Sequence, residues 1–177
     1  LGVPQADILC ALGPVLALGR PIIDMGGIFM DKFNFWQKWL FGLGLYLCFF
    51  GLVLCFFSNS SLMDFAFNNQ IDPTFWDKNE LPDNAMRFRG WIYGVLGAVI
   101  SGWGVLISFI AHFPFKKKEK WAWDSLLSAA IIWFLSDTTI SIYYEVGFNV
   151  IFNCALFILV VLPLAFTKMH FQKQGSS

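Results

Sequence analysis

Four stretches of the chain, at about 36–57, 90–113, 121–141 and 147–166, are apolar with few interruptions. Each approaches or exceeds the roughly 20 residues that a helix rising about 1.5 Å per residue needs to cross a hydrocarbon layer. The connections after the second and third stretches are short, which favours antiparallel neighbours. The predicted fold is therefore all-α, a four-transmembrane-helix antiparallel bundle. Lys32, Lys38, Trp36 and Trp39 flank the entry of the first span, the residue types expected at a membrane boundary.

The long hydrophilic segment at 58–89 carries Asp64, Asp72, Asp77, Glu80 and Asp83 among Phe65, Phe67, Phe75 and Trp76. Aromatics with scattered acids suggest a loop that lies on the membrane surface or caps the bundle. Pro82 followed by Asp83 predicts a helix start, because Pro suits the first turn and an acid favours the positive end of the helix dipole. Before the first span, the apolar run at 8–18 is too short to cross a membrane and is broken by Gly13 and Pro14. Met30 is followed by DKFNFWQKWLF, a polar lead into a hydrophobic helix. Residues 1–29 are therefore expected to be an N-terminal extension outside a membrane domain at 30–177, with Met25 as a second candidate start.

Composition agrees with the pattern. The 177 residues are 57% hydrophobic and 14% charged, against roughly a quarter charged in ordinary soluble domains. Net charge is zero, which argues against nucleic acid as a partner and leaves membrane lipid. The distribution of lysine predicts orientation. Lys32, Lys38, Lys116, Lys117, Lys118, Lys120, Lys168 and Lys173 fall on one side of the predicted bundle, and Lys78, Arg87 and Arg89 on the other with most of the acids. Positive-inside counting then makes both termini cytoplasmic, and the expected location is a bacterial inner (plasma) membrane.

The second span carries Gly90, Gly94, Ala98 and Gly102 at intervals of four, a smooth ridge that Gly97, Ser101 and Gly104 widen. Such ridges let helices approach closely. The ridge packs within the monomer, or it joins a homo-oligomer or another membrane protein.

One residue is expensive where it stands. Asp137 lies inside an apolar segment, where a carboxylate costs roughly 2.5–3.5 kcal/mol on insertion scales, so such residues face protein or water and have partners. With the turn centred near Glu145, Asp137 and Asn153 each lie eight residues away, and Ser141 and Asn149 four. Antiparallel helices place each pair at matching depth. The expected polar site is Asp137, Ser141, Asn149 and Asn153. It serves as interhelical glue, or it holds an ion, a proton or a ligand. Arg87 and Arg89 share a side with Glu145 and form a second candidate, for ion pairing or for a headgroup phosphate.

The remaining chemistry is negative. Cys10, Cys48, Cys55 and Cys154 contain no C-x-x-C and none lies in the hydrophilic loops. His112 and His170 fall on different helices without a cysteine or carboxylate cluster, a poor metal site. No G-x-S-x-G, phosphate loop or H-E-x-x-H is present. No catalytic residue, cofactor or metal is expected.

RGWIYGVLGAVISGWGVL at 89–106, EKWAWDSLL at 119–127 and WFLSDTTIS at 133–141 give a layout that resembles uncharacterised bacterial four-helix integral membrane proteins. The resemblance covers about 36–168, implies the four-helix fold, and brings no functional residues with it. Three functions then compete: a structural or accessory helix-bundle protein, a small carrier or ligand-binding protein using Asp137, and a lipid-modifying enzyme using Asp137 or Glu145 with Arg87 and Arg89. A water-filled pocket reaching Asp137 favours the second, a dry, closed seam the first, and a headgroup-sized groove joining Arg87, Arg89 and Glu145 the third.

Overall fold

A computed structural model describes residues 25–76 and 81–172. Four long helices dominate: α1 (Met25–Phe57), α4 (Asp83–Ile110), α5 (Lys120–Tyr143) and α6 (Gly147–Gln172). Each is long and apolar enough to cross a membrane, and no strand occurs among the described residues. Two short helices, α2 (Ser61–Met63) and α3 (Asn69–Phe75), flank a π-helical turn at Asp64–Asn68 in the acidic segment. The expected extension at 1–29 falls mostly outside the described residues. Met25–Asp31 form the first turns of α1, and the described residues from Lys32 onward belong to a single folding unit.

Within that unit, the helices run up and down. α1 and α4 are antiparallel, since Gly44 meets Ser108 and Gly51 meets Gly97. α6 runs back along α1, with Trp36 stacked on Phe166 and Phe50 beside Phe152. α5 and α6 form an antiparallel hairpin, with Phe134 stacked on Phe157 and Trp123 Nε1 donating to the Leu164 carbonyl at 2.8 Å.

At the α1/α4 contact, backbone lies against backbone. A Cβ added to Gly104 would come within 3.0 Å of the Cys48 nitrogen and Cα and of the Gly44 carbonyl. The same holds for Gly97 against Gly51 and Cys55, for Gly51 against Gly97 and Ser101, and for Gly44 against Ser108 and Gly104. Only hydrogen at these positions lets the two backbones approach. The buried stripe on α4 is Gly97, Ser101, Gly104 and Ser108. Both serine hydroxyls lie at the contact: Ser101 Oγ donates to the Cys48 carbonyl of α1 at 3.1 Å, and Ser108 Oγ lies 2.9 Å from the Gly104 carbonyl of its own helix and 3.4 Å from the Phe41 carbonyl of α1. The close approach thus lies beside the ridge expected from spacing by four. Gly90 lies near Asn59, Gly94 touches only the Cys55 carbonyl at 3.8 Å, Ala98 is exposed, and Gly102 meets nothing within 4 Å. The difference is one of helix face: Gly97, Ser101, Gly104 and Ser108 follow alternating steps of four, three and four, which stay on one side of a 3.6-residue helix, whereas steps of four drift around it.

At the lysine-rich end, Phe33, Leu40, Ala111, Phe115, Ala122, Leu126, Leu164 and Phe171 form a buried apolar cluster. At this end Pro114 and Pro163 lie inside helical segments, and a side chain of α1 donates to a backbone carbonyl near each. Pro163 has no N–H for the Leu159 carbonyl four residues earlier, and Trp39 Nε1 donates to that carbonyl at 3.1 Å. Beside Pro114, where the backbone widens into a π-helical turn, Gln37 Nε2 donates to the Ala111 carbonyl at 2.9 Å. At the other end the acidic segment caps the bundle: Phe67 lies against Phe50, Phe148 and Phe152. α4 begins at Asp83 directly after Pro82.

Candidate functional site

The geometry of the α5/α6 hairpin starts at its turn. Val146 N–H donates to the Ser141 carbonyl at 2.8 Å and Glu145 N–H to the Ile142 carbonyl at 3.1 Å. This is the Schellman pair of bonds that closes a helix through a left-handed residue. That residue is Glu145, with φ 59°, at a position where glycine is usual. The compact turn sets the register between the helices.

In that register Asp137 faces Asn149. Asn149 Nδ2 donates to Asp137 Oδ1 at 2.9 Å and to Ser141 Oγ at 2.8 Å. The Ser141 hydroxyl lies 2.7 Å from the Asp137 carbonyl and 3.2 Å from Asp137 Oδ1, so its proton has both as acceptors. Three of the four residues expected in the polar site are therefore joined by hydrogen bonds. Asn153 makes no bond to them. It is 1% exposed and its Nδ2 has no partner among the described residues. It sits about 6 Å further along α6 than Asn149, one helical turn. The register centred at Glu145 holds, since Asn149 meets Ser141 at matching depth and Phe134 stacks on Phe157; Asn149 also reaches Asp137, one turn away on α5, and Asn153 is left without that bond. Thr138 Oγ1 is a second buried polar atom without a partner there.

Asp137 also lines a groove on the outer side of the bundle, with Trp103 of α4 and Ala129, Ile132, Trp133, Ser136 and Ile140 of α5. The groove is open and mostly apolar, with a volume of about 630 Å³. Ile132 and Ile140 on its rim are exposed, as lipid-facing residues of a spanning helix are. Asp137 lies six residues before the end of α5, or about 9 Å along the helix axis.

The arginines are arranged differently from the expectation. Arg89 Nη1 pairs with Asp72 Oδ2, its Nη2 donates to Asn59 Oδ1 at 3.2 Å, and Asp64 Oδ1 lies 3.9 Å from Nη2. Asn68, buried, ties this group to the bundle through Nδ2 bonds to the Ser58 carbonyl at 3.1 Å and Asp64 Oδ1 at 2.7 Å. Arg87 and Glu145 are exposed, and among the described residues no ion pair joins Glu145 to Arg87 or Arg89. Burial raises the Asp72 carboxyl above its ordinary pKa of 3.8, and the Arg89 charge and hydrogen bond offset this only in part. Spacing does not reveal Asp72 and Asp64 as Arg89 partners, because they lie 17 and 25 residues away, beyond any helical interval.

Among the described residues no group of three His, Cys, Asp or Glu side chains could hold a metal ion. Cys48, Cys55 and Cys154 are free thiols, and Cys10 lies outside the described residues. No family model matches the chain. No curated protein and no solved structure matches it either.

Proposed function

We propose that this chain is a small integral membrane protein that takes a ligand from the bilayer into the groove at Asp137, with both ends of the chain on the cytoplasmic side. The observation that carries the reading is that Asp137 lines that groove while Asn149 and Ser141 hold one of its oxygens. A carboxylate that served only as glue has no need of an open face. Pockets of roughly 300–1,000 Å³ with apolar walls and a few placed polar groups are the usual form of ligand sites. The orientation rests on the concentration of Lys116, Lys117, Lys118, Lys120 and Lys168 near one end.

A second reading, a structural or accessory bundle working through helix contacts, has its own support. Ala98 is exposed and Gly102 has open space beside it, so this ridge is free to receive another helix. The lipid-modifying alternative draws less support, since Arg89, one of its two arginines, is engaged by Asp72 and Asn59.

A lipophilic carbodiimide separates the first two readings. Dicyclohexylcarbodiimide, which reaches carboxyl groups from the lipid phase, should modify Asp137 in membranes. A water-soluble carbodiimide should modify it far less, and Asp137→Asn should abolish the labelled peptide. Absence of modification at Asp137 under conditions that label a control intramembrane carboxyl would mean that the residue is sealed in the helix contact, as the accessory reading requires.

A further inference from the structure

The occupant of the groove can be specified by its chemistry, on the condition that the groove is a ligand site as proposed above. Intramembrane carboxylates are normally paired. Among the described residues no lysine, arginine or histidine forms an ion pair with Asp137. Its hydrogen bonds come from Asn149 and Ser141, both neutral, and both converge on Oδ1. Oδ2 receives no hydrogen bond from the described residues. The side chain is thus oriented from behind, with one oxygen and the countercharge unfilled.

The walls complete the description. Trp103 and Trp133 come from different helices and both line the groove. Indole faces attract cations, more strongly when the cation is desolvated. Ile132, Ile140 and Ala129 offer apolar surface, and the opening lies on the lipid-facing side. A small inorganic cation would find no further oxygen ligands in such walls. A neutral lipid would leave the carboxylate without a countercharge. From these features we infer that the groove binds a lipophilic organic cation, its charge beside Asp137 Oδ2 and the two indoles, its apolar body along Ile132 and Ile140.

Tetraphenylphosphonium and tetraphenylborate make the test, because they share shape and differ in charge. Binding of each to the purified full chain in detergent micelles is measured by equilibrium dialysis. The cation should bind at one site per chain and the anion at least about tenfold more weakly. Asp137→Asn, which keeps an acceptor for Asn149, should weaken the cation at least about tenfold and leave the anion unchanged. Trp133→Phe should retain more of the cation affinity than Trp133→Leu. Equal affinity for the two ions, or full cation affinity in Asp137→Asn, would overturn the inference and leave a groove that reads only apolar shape. Binding of neither ion would overturn it as well, and carbodiimide labelling of Asp137 then decides separately whether the groove is open to ligands at all.

Discussion

The two helix contacts of this bundle are built from opposite materials. Between α1 and α4, Gly44, Gly51, Gly97 and Gly104 bring backbone against backbone, and the limiting factor is space. Between α5 and α6, side chains meet: Trp123 reaches the Leu164 carbonyl, Phe134 stacks on Phe157 at 4.3 Å, and Asp137, Ser141 and Asn149 exchange hydrogen bonds. Lipid is as apolar as leucine, so hydrophobicity does not drive either contact; dispersion and hydrogen bonding do. A contact limited by space tolerates no added atom. A contact made by polar side chains tolerates isosteres and can leave a functional group facing outward. On the function proposed above, the ligand site belongs to the second contact, and the first holds the two helices at fixed spacing.

The space-limited contact is tested most severely at Gly104. Gly104→Leu should force α1 from α4, and overpacking of this kind typically costs about 1–3 kcal/mol. Gly102→Leu, two residues away with nothing within 4 Å, should leave the thermal unfolding temperature in detergent nearly unchanged. Equal effects of the two would mean that α4 presents a different face to α1.

A smaller effect, of opposite sign, is expected at the hairpin turn. Glu145 has φ 59° at the residue that closes the Schellman motif. Glycine there removes a left-handed penalty of about 1–2 kcal/mol and adds unfolded-state entropy of about 0.5–1. Glu145→Gly should accordingly raise stability by a few tenths to about 1 kcal/mol. A loss of stability in chemical or thermal unfolding would show that the Glu145 side chain contributes more than its backbone costs.

The smallest effect concerns pH. The Asp72 carboxyl is raised above 3.8, chiefly by burial. A group whose folded pKa is raised contributes stability that is complete below the unfolded pKa and lost as pH rises through the folded one. Stability should therefore decline slightly as pH climbs from about the ordinary aspartate range of 3.9, and Asp72→Asn should remove that part of the profile. A profile that rises over the same window in the wild-type chain but not in Asp72→Asn would mean that Arg89 attraction outweighs burial.

The spans were legible because an apolar run of about 20 residues matches the thickness of a bilayer and little else. Pro82-Asp83 marked the start of α4 because both residues act locally. The choice between the two small-residue stripes of α4 was not legible. In a soluble helix the apolar face identifies the core; here both faces are apolar, with exposed Val95, Val99 and Leu106 beside buried Gly97 and Gly104. Cost alone singles out Asp137, and a turn centred at Glu145 pairs Ser141 with Asn149 as observed; depth matching does not show that one amide serves both Ser141 and Asp137, leaving Asn153 outside the set. The pairing of Arg89 with Asp72 depends on how the acidic segment folds back, a tertiary fact with no periodic signature.

A double-mutant cycle on Asp137 and Asn149 addresses most directly the contact on which the groove depends. Asp137→Ala, Asn149→Ala and the double variant are unfolded reversibly in mixed micelles, and the coupling energy is taken from the four stabilities. A hydrogen bond across membrane helices predicts coupling of about 0.6–1.7 kcal/mol. Additivity within about 0.3 kcal/mol would mean that Asn149 does not hold the carboxylate, and that the orientation of Asp137 toward the groove has no support from α6.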